Sequence, residues 1–359
     1  MSYNRNLKLN FFKCISLSLT IILINSCSLS KEVLLKNGTA KYDQGKYREA
    51  INSYDKILDS NPSYSEAYYN RGLAKAKLKK YNEAIQDYNK AIELNSNNCK
   101  FYKDRGNAKY NQGKYYEAIK DYNKALKIKP KYYVAYNNLG NAYMSLKKFH
   151  EALKYLNKAI EISPNDSLAY GNRGCLKKRS HKFHDAIIDF NKAIELDPKD
   201  KRAYNNRGLT KLDLNEYHKA IKDFNKAIEL DPENFDYYGN RGTAKSSLGL
   251  YEEAIKDFDM AIKLNDSNAR IFSNRGKMKS KLEQYHEAII NFNKAIELDN
   301  QHCDAYHSRG HVYMKMKEYQ KAIKDFEINL KLRPYDYCAK NNLKKAKHRL
   351  AEQNKSKSQ

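Results

Sequence analysis

The chain of 359 residues carries 67 Lys and Arg against 42 Asp and Glu, a formal net charge of +25 with a pI near 9.5. That excess invites a nucleic-acid or anionic-membrane reading, to be judged by where the basic residues fall. Six cysteines without close pair spacing exclude a disulfide framework, and abundant Lys, Asn, Ile and Tyr with no Trp point to an AT-rich genome as a plain source of basicity.

Residues 1–30 stand apart from the rest. Arg5, Lys8 and Lys13 precede an apolar run from Cys14 to Ile24, and Asn25, Ser26 and Cys27 follow. The run falls well short of the about 20 residues that a helix needs to span a bilayer. A basic segment, a short apolar core and a small residue at the cut describe a secretory signal peptide. Ile24-Asn25-Ser26-Cys27 resembles a bacterial lipoprotein cleavage box, with Asn25 departing from the small or apolar residue usual there. The resemblance implies a signal peptide over 1–26, a lipid on Cys27, a short anchor over 27–30 and a protein exported to the bacterial envelope. Two or three acyl chains would hold it stably at the membrane. An unprocessed leader on a cytoplasmic protein is the alternative.

From Gly38 onward a glycine recurs at every i+34: Gly38, Gly72, Gly106, Gly140, Gly174, Gly208, Gly242, Gly276 and Gly310. An alanine stands at i+12 from each glycine (Ala50, Ala84 and so on to Ala322), and all six prolines stand at i+24 from a glycine of the series. Such a period signals stacked supersecondary units and places proline between them rather than inside helices. The units run 31–64, 65–98, 99–132, 133–166, 167–200, 201–234, 235–268, 269–302 and 303–336. Each reads as a first helix through the glycine, a short turn with Gly, Lys or Asn, and a second helix such as Tyr217 to Leu230. Glycine inside a helix costs about 1 kcal/mol against alanine, so the spacing predicts a close approach of the facing helix at each one. The alanine at i+12 is the expected occupant. Residues 337–352 continue the rhythm without a glycine and predict a capping helix, and 353–359 a disordered polar tail.

The aromatic, glycine, alanine, aromatic, proline order, in the sixth unit Tyr204, Arg207-Gly208, Ala220, Phe224, Ala227 and Pro232, resembles the tetratricopeptide repeat family. The resemblance covers Lys31 to about Asp336. Departures are the absence of Trp and an Arg where Leu usually precedes the glycine. It implies an all-α, right-handed solenoid of nine 34-residue helix–turn–helix repeats with a C-terminal capping helix. It also implies a non-enzymatic scaffold that binds peptide segments or protein partners in its concave groove.

The Arg varies with a second position. Arg71, Arg105, Arg173, Arg207, Arg241, Arg275 and Arg309 have, at i+16, Asp87, Asp121, Asp189, Asp223, Asp257, Asn291 and Asp325. The two repeats with Asn37 and Leu139 instead have Ser53 and Tyr155 there. This predicts an Arg–carboxylate pair tying the two helices of a repeat, a structural role for these charges.

Within the resemblance, asparagines at the second position before the glycine (Asn70, Asn138, Asn172, Asn206, Asn240 and Asn274) sit where some relatives grip an extended peptide backbone. A carboxamide can both donate to and accept from such a backbone. Lys103, Asn107 and Asn138 match half of a carboxylate clamp, but the next repeat has Leu168 and Asn172 where basic partners belong. Cys303, His307 and His311 fall at i, i+4 and i+8 and have metal-ligand chemistry, yet read as incidental surface residues, so no metal or cofactor is expected. No phosphate loop or nucleophile–base set stands out, so no catalytic residue is assigned. First-helix charges nearly balance, and much of the lysine lies in second helices. Protein or peptide is therefore the expected partner rather than nucleic acid. An RNA-binding helical repeat or cytosolic adaptor remains the second reading if the leader is not processed.

Overall fold

The computed structural model describes residues 31–357, all helical apart from short turns. The signal peptide, the 27–30 anchor and the Cys27 lipid site lie outside the described residues. The first helices of the nine repeats are α1 (31–43), α3 (Ser65–Lys77), α5 (Cys99–Asn111), α7 (Tyr133–Ser145), α9 (Ser167–Arg179), α11 (Lys201–Asp213), α13 (Phe235–Ser247), α15 (Ala269–Lys281) and α17 (Cys303–Lys315). The second helices are α2 (Tyr47–Ser60), α4 (Tyr81–Leu94), α6 (Tyr115–Ile128), α8 (Phe149–Ile162), α10 (Phe183–Leu196), α12 (Tyr217–Leu230), α14 (Tyr251–Leu264), α16 (Tyr285–Leu298) and α18 (Tyr319–Leu332). A last helix, α19, spans Tyr337–Lys357.

The helices start and stop where local chemistry directs. Asn98, Asp200, Asn234 and Asn268 cap α5, α11, α13 and α15, each accepting the backbone N–H at i+2. The turn between the helices of a repeat has one left-handed residue. Gly45, Gly113 and Gly249 fill it without strain, whereas Lys79, Lys147, His181, Asn215, Glu283 and Lys317 adopt φ near +60° there. The second helices are amphipathic: in α12 the buried Ala220, Phe224 and Ala227 recur at i, i+4 and i+7. The tail expected over 353–359 is corrected in part. Helix α19 continues through Gln353 to Lys357, where neither Gly nor Pro interrupts it.

The described residues divide into two compact units between Asn172 and Arg173. Within each, helix pairs stack as a solenoid. First helices touch the next first helix, α3 with α5 and α5 with α7 in the first unit, α11 with α13, α13 with α15, α15 with α17 and α17 with α19 in the second. Within each unit no such backbone approach joins successive second helices among the described residues. Successive first helices are therefore closer than successive second helices, and they form the inner face of each unit.

The glycine contact differs from expectation. A Cβ on Gly208 would lie 2.7 Å from Cε1 of Phe224, and one on Gly72 would lie 2.7 Å from Cε1 of Tyr88. The occupant is the side chain at i+16, an aromatic ring in every repeat but the fourth, where Leu156 faces Gly140. A ring needs its face clear over a wide area, and the alanine at i+12 is fully buried too, with the Ala152 carbonyl 3.3 Å from a Cβ on Gly140.

The Arg–carboxylate pairs form. Arg71 Nε and Nη2 donate to Asp87 Oδ2 and Oδ1 at 3.0 and 2.7 Å, and Arg105, Arg173, Arg207, Arg241 and Arg309 repeat the fork on their aspartates. In the eighth repeat Arg275 makes one bond to Asn291. Five of the carboxylates take a second cation: Lys75, Lys109, Lys177, Lys211 and Lys245 lie 2.7–2.9 Å from them. The third guanidinium nitrogen reaches back one repeat, from Arg71 to Asp55, Arg105 to Asn89, Arg207 to Asn191 and Arg241 to Asn225. Each of these arginines thus joins three helices of two repeats. The recurrent Asp or Asn at that site is a visible sequence signal for this bond.

Candidate functional site on the inner face

The stack of first helices sets a fixed register on the inner face. A residue meets those 31 and 35 positions later in the next repeat, two sites one helical turn apart that bracket the repeat period. Asn138 donates to Asn107 Oδ1 at 2.8 Å across 31 positions, and Asn206 to Cys175 Sγ at 3.3 Å. Across 35 positions Asn172 donates to Asn137 and Asn240 to Asn205, both at 2.9 Å, and Tyr69 OH donates to Asp104 Oδ2 at 2.7 Å. Four of the six asparagines singled out in the sequence thus bond first helix to first helix. Asn70 and Asn274 occupy the same half-buried position on α3 and α15.

The structure gathers Lys103 and Asn107 around Asp104, and Asn138 joins them only through Asn107. This buried carboxylate accepts from Lys103 Nζ at 2.6 Å, from Asn107 Nδ2 at 3.2 Å and from Tyr69. Lys103 is therefore a neutralised cation. Burial, then the Asp104 charge, lifts the Tyr69 phenol far above its ordinary range, so its hydroxyl stays a donor.

Beside this cluster lies an open cavity of 290 Å³ lined by Asn107, Tyr110, Asn111, Tyr122, Asn138 and Asn141. Tyr122 OH donates to Asn107 Oδ1 at 2.9 Å, and Tyr110 OH shares a 2.9 Å hydrogen bond with Ser145. These contacts hold the two rings and the Asn107 carboxamide in place. Asn141 Oδ1 has no hydrogen-bond donor among the described residues. A rotation of that carboxamide would turn the acceptor into the cavity. Four amides and two phenols offer alternating donors and acceptors without net charge, which suits a peptide backbone better than a carboxylate or phosphate. The sequence reading does not single out Asn111 and Asn141, although Asn141 repeats the position of Asn107 one repeat on.

The recurrent lysines of the second helices are balanced locally. Lys90, Lys158, Lys192, Lys226 and Lys294 each pair with the glutamate at i+3, at 2.5–2.9 Å. On the inner face Lys178 pairs with Asp213 at 3.3 Å and Arg270 with Asp236 at 3.7 Å. No helix among the described residues is long and apolar enough to cross a membrane.

Comparison with known proteins agrees with this architecture. Models of the tetratricopeptide repeat match residues 35–98, 133–166, 168–200, 202–234, 235–268 and 303–336, and a TPR repeat model matches 106–147 and 276–317. Among solved structures, the APC/C hetero-tetramer Cut9-Hcn1 matches with a TM-score of 0.60 and 19% identity, over 83% of this chain and 59% of that chain. The chain thus spans little more than half the length of that relative. A tetratricopeptide repeat protein from Parabacteroides merdae ATCC 43184 matches with a TM-score of 0.54 and 20% identity, over 69% of this chain and 98% of that one. At such identities both likenesses speak to the fold. A search of the curated proteins finds no match.

Proposed function

Because the chain belongs to the tetratricopeptide repeat family, we propose that it is a non-enzymatic scaffold that holds an extended peptide segment of a protein partner on its inner face. The observation that carries this reading is the uncharged amide-and-phenol cavity between α5 and α7. Its lining can pair with successive backbone N–H and C=O groups, and the Arg–Asp forks keep the two helices of a repeat in register. Asn206 and Asn240 repeat the amide row within the second unit.

The N-terminal features support a second part of the proposal. The basic segment, short apolar core and Cys27 fit a lipid anchor that would hold the scaffold at a membrane of the bacterial envelope. A selection of random peptides displayed against the full-length chain tests the binding reading. Enrichment of one peptide family, lost with Asn138→Ala/Asn141→Ala, is expected. Equal recovery on the double variant would exclude the cavity as the binding site.

A further inference from the structure

A cluster of metal-ligating side chains lies away from the amide cavity, where α17 meets α19. His307 and His311 sit one turn apart on α17, and their Nε2 atoms are 3.1 Å from each other. Cys338, in the first turn of α19, places Sγ 3.8 Å from His307 Nε2. The three ligand atoms all lie within 4.8 Å of one another.

The two His307 separations are near those of a tetrahedral site. With metal–nitrogen bonds of about 2.0–2.1 Å and metal–sulfur bonds of about 2.3 Å, tetrahedral angles put two nitrogens ~3.4 Å apart and nitrogen and sulfur ~3.6 Å apart. The two His307 separations, 3.1 and 3.8 Å, are near these values, and the His311–Cys338 pair would close from within 4.8 Å. Asn342 sits beside the remaining corner, its Nδ2 2.9 Å from His311 Nε2 and 3.6 Å from Cys338 Sγ. The adjoining cavity is lined by Asp304, Asp336, Ser308 and Lys277 together with His307 and Cys338. Asp304 is paired with Arg333 Nη1 at 2.9 Å, so the charges around this cavity balance.

We infer that His307, His311 and Cys338 form a binding site for a thiophilic transition-metal ion of the Zn²⁺ type, with a fourth position open beside Asn342. On binding, the Cys338 S–H gives its proton to solvent as the sulfur–metal bond forms, and both imidazoles bind as neutral ligands. Histidine with thiolate selects Zn²⁺ over Mg²⁺ or Ca²⁺, which prefer oxygen. The ion would staple the last helix to the ninth repeat, joining His307 to a cysteine 31 positions on in sequence. The site is reachable, because His311 and Cys338 are exposed and His307 is half-buried. His307 Nδ1 lacks an acceptor among the described residues, so the site has less outer support than a closed structural zinc centre.

Cys303, the cysteine that the sequence groups with these histidines, is not part of the cluster. Its buried thiol donates instead to the Gln301 carbonyl at 3.4 Å.

Titration of the full-length chain with Co²⁺, a spectroscopic stand-in for Zn²⁺, tests the assignment. The expected result is a thiolate-to-cobalt charge-transfer band that saturates at one equivalent and is displaced by Zn²⁺. Cys338→Ser abolishes the band, His311→Asn weakens binding at least tenfold, and Cys303→Ser leaves the band intact. Helix content by circular dichroism shows each variant to be folded. A band that survives Cys338→Ser, or no band in the unaltered chain, overturns the site.

Discussion

Arg207 and Asp223 meet through two parallel hydrogen bonds, Nε to Oδ2 at 3.0 Å and Nη2 to Oδ1 at 2.6 Å, and so bind α11 to α12. The same guanidinium reaches Asn191 at 2.7 Å, and Lys211 adds a 2.7 Å contact to the carboxylate. Removing one member of a buried charge pair costs about 3–5 kcal/mol, far more than the pair itself contributes. Arg207→Ala and Asp223→Ala should therefore each destabilise strongly, with a coupling energy of about 1–3 kcal/mol in urea unfolding. Additive effects would contradict the pairing.

Asp325 differs from Asp223 in its surroundings. Position 313 holds Tyr where most repeats supply a lysine to the carboxylate, and burial raises the Asp325 pKa despite Arg309. A carboxyl whose folded pKa is raised contributes its stability below the unfolded value and loses it as pH rises through the folded pKa. Asp325→Asn should thus cost less than Asp223→Asn at pH 7, as the natural Asn291 of the eighth repeat suggests. Its cost should grow, relative to the parent, as pH is lowered toward the carboxylate range. Unfolding midpoints of both variants between pH 4 and 7 check this, and equal costs at pH 7 would count against it.

Gly208→Ala sets two effects against each other. Alanine gains about 1 kcal/mol of helix propensity, but its Cβ would stand 2.7 Å from the buried Phe224 ring, and overpacking costs about 1–3 kcal/mol. The variant should be destabilised, and Phe224→Leu in the same chain should recover part of the loss, as Leu156 serves opposite Gly140. A higher melting temperature for Gly208→Ala alone would refute the close approach.

Cys27 is expected to carry lipid. The intact mass of the protein from its native host should correspond to cleavage before Cys27 plus acyl chains, and Cys27→Ala should abolish the modification. A full-length unmodified mass would move the search for partners to the cytosol, with RNA among them.

The fold is legible because its repeat is strict: a glycine at every i+34 fixes helix count, phase and punctuation. The Arg–Asp forks are legible for the same reason, since substitution at Asn37 and Leu139 coincides with substitution at Ser53 and Tyr155. Contacts between repeats are harder to read. Tyr69 with Asp104, Asn107 with Asn138 and His307 with Cys338 depend on the stacking register, which only the helix packing sets. Once that offset of 31 or 35 is known, Cys338 is the natural partner of His307, whereas Cys303 only shares its helix.

Capture of a peptide backbone in the amide cavity of α5 and α7 is tested most directly at Asn141. Its Oδ1 has no donor among the described residues, and an unmade buried hydrogen bond costs about 1–3 kcal/mol. Isothermal titration of a selected peptide into the full-length chain and into Asn141→Ala compares the two states of the site. At least a tenfold loss of affinity, with no fall in melting temperature, is the expected result. Unchanged affinity would contradict peptide capture at this cavity.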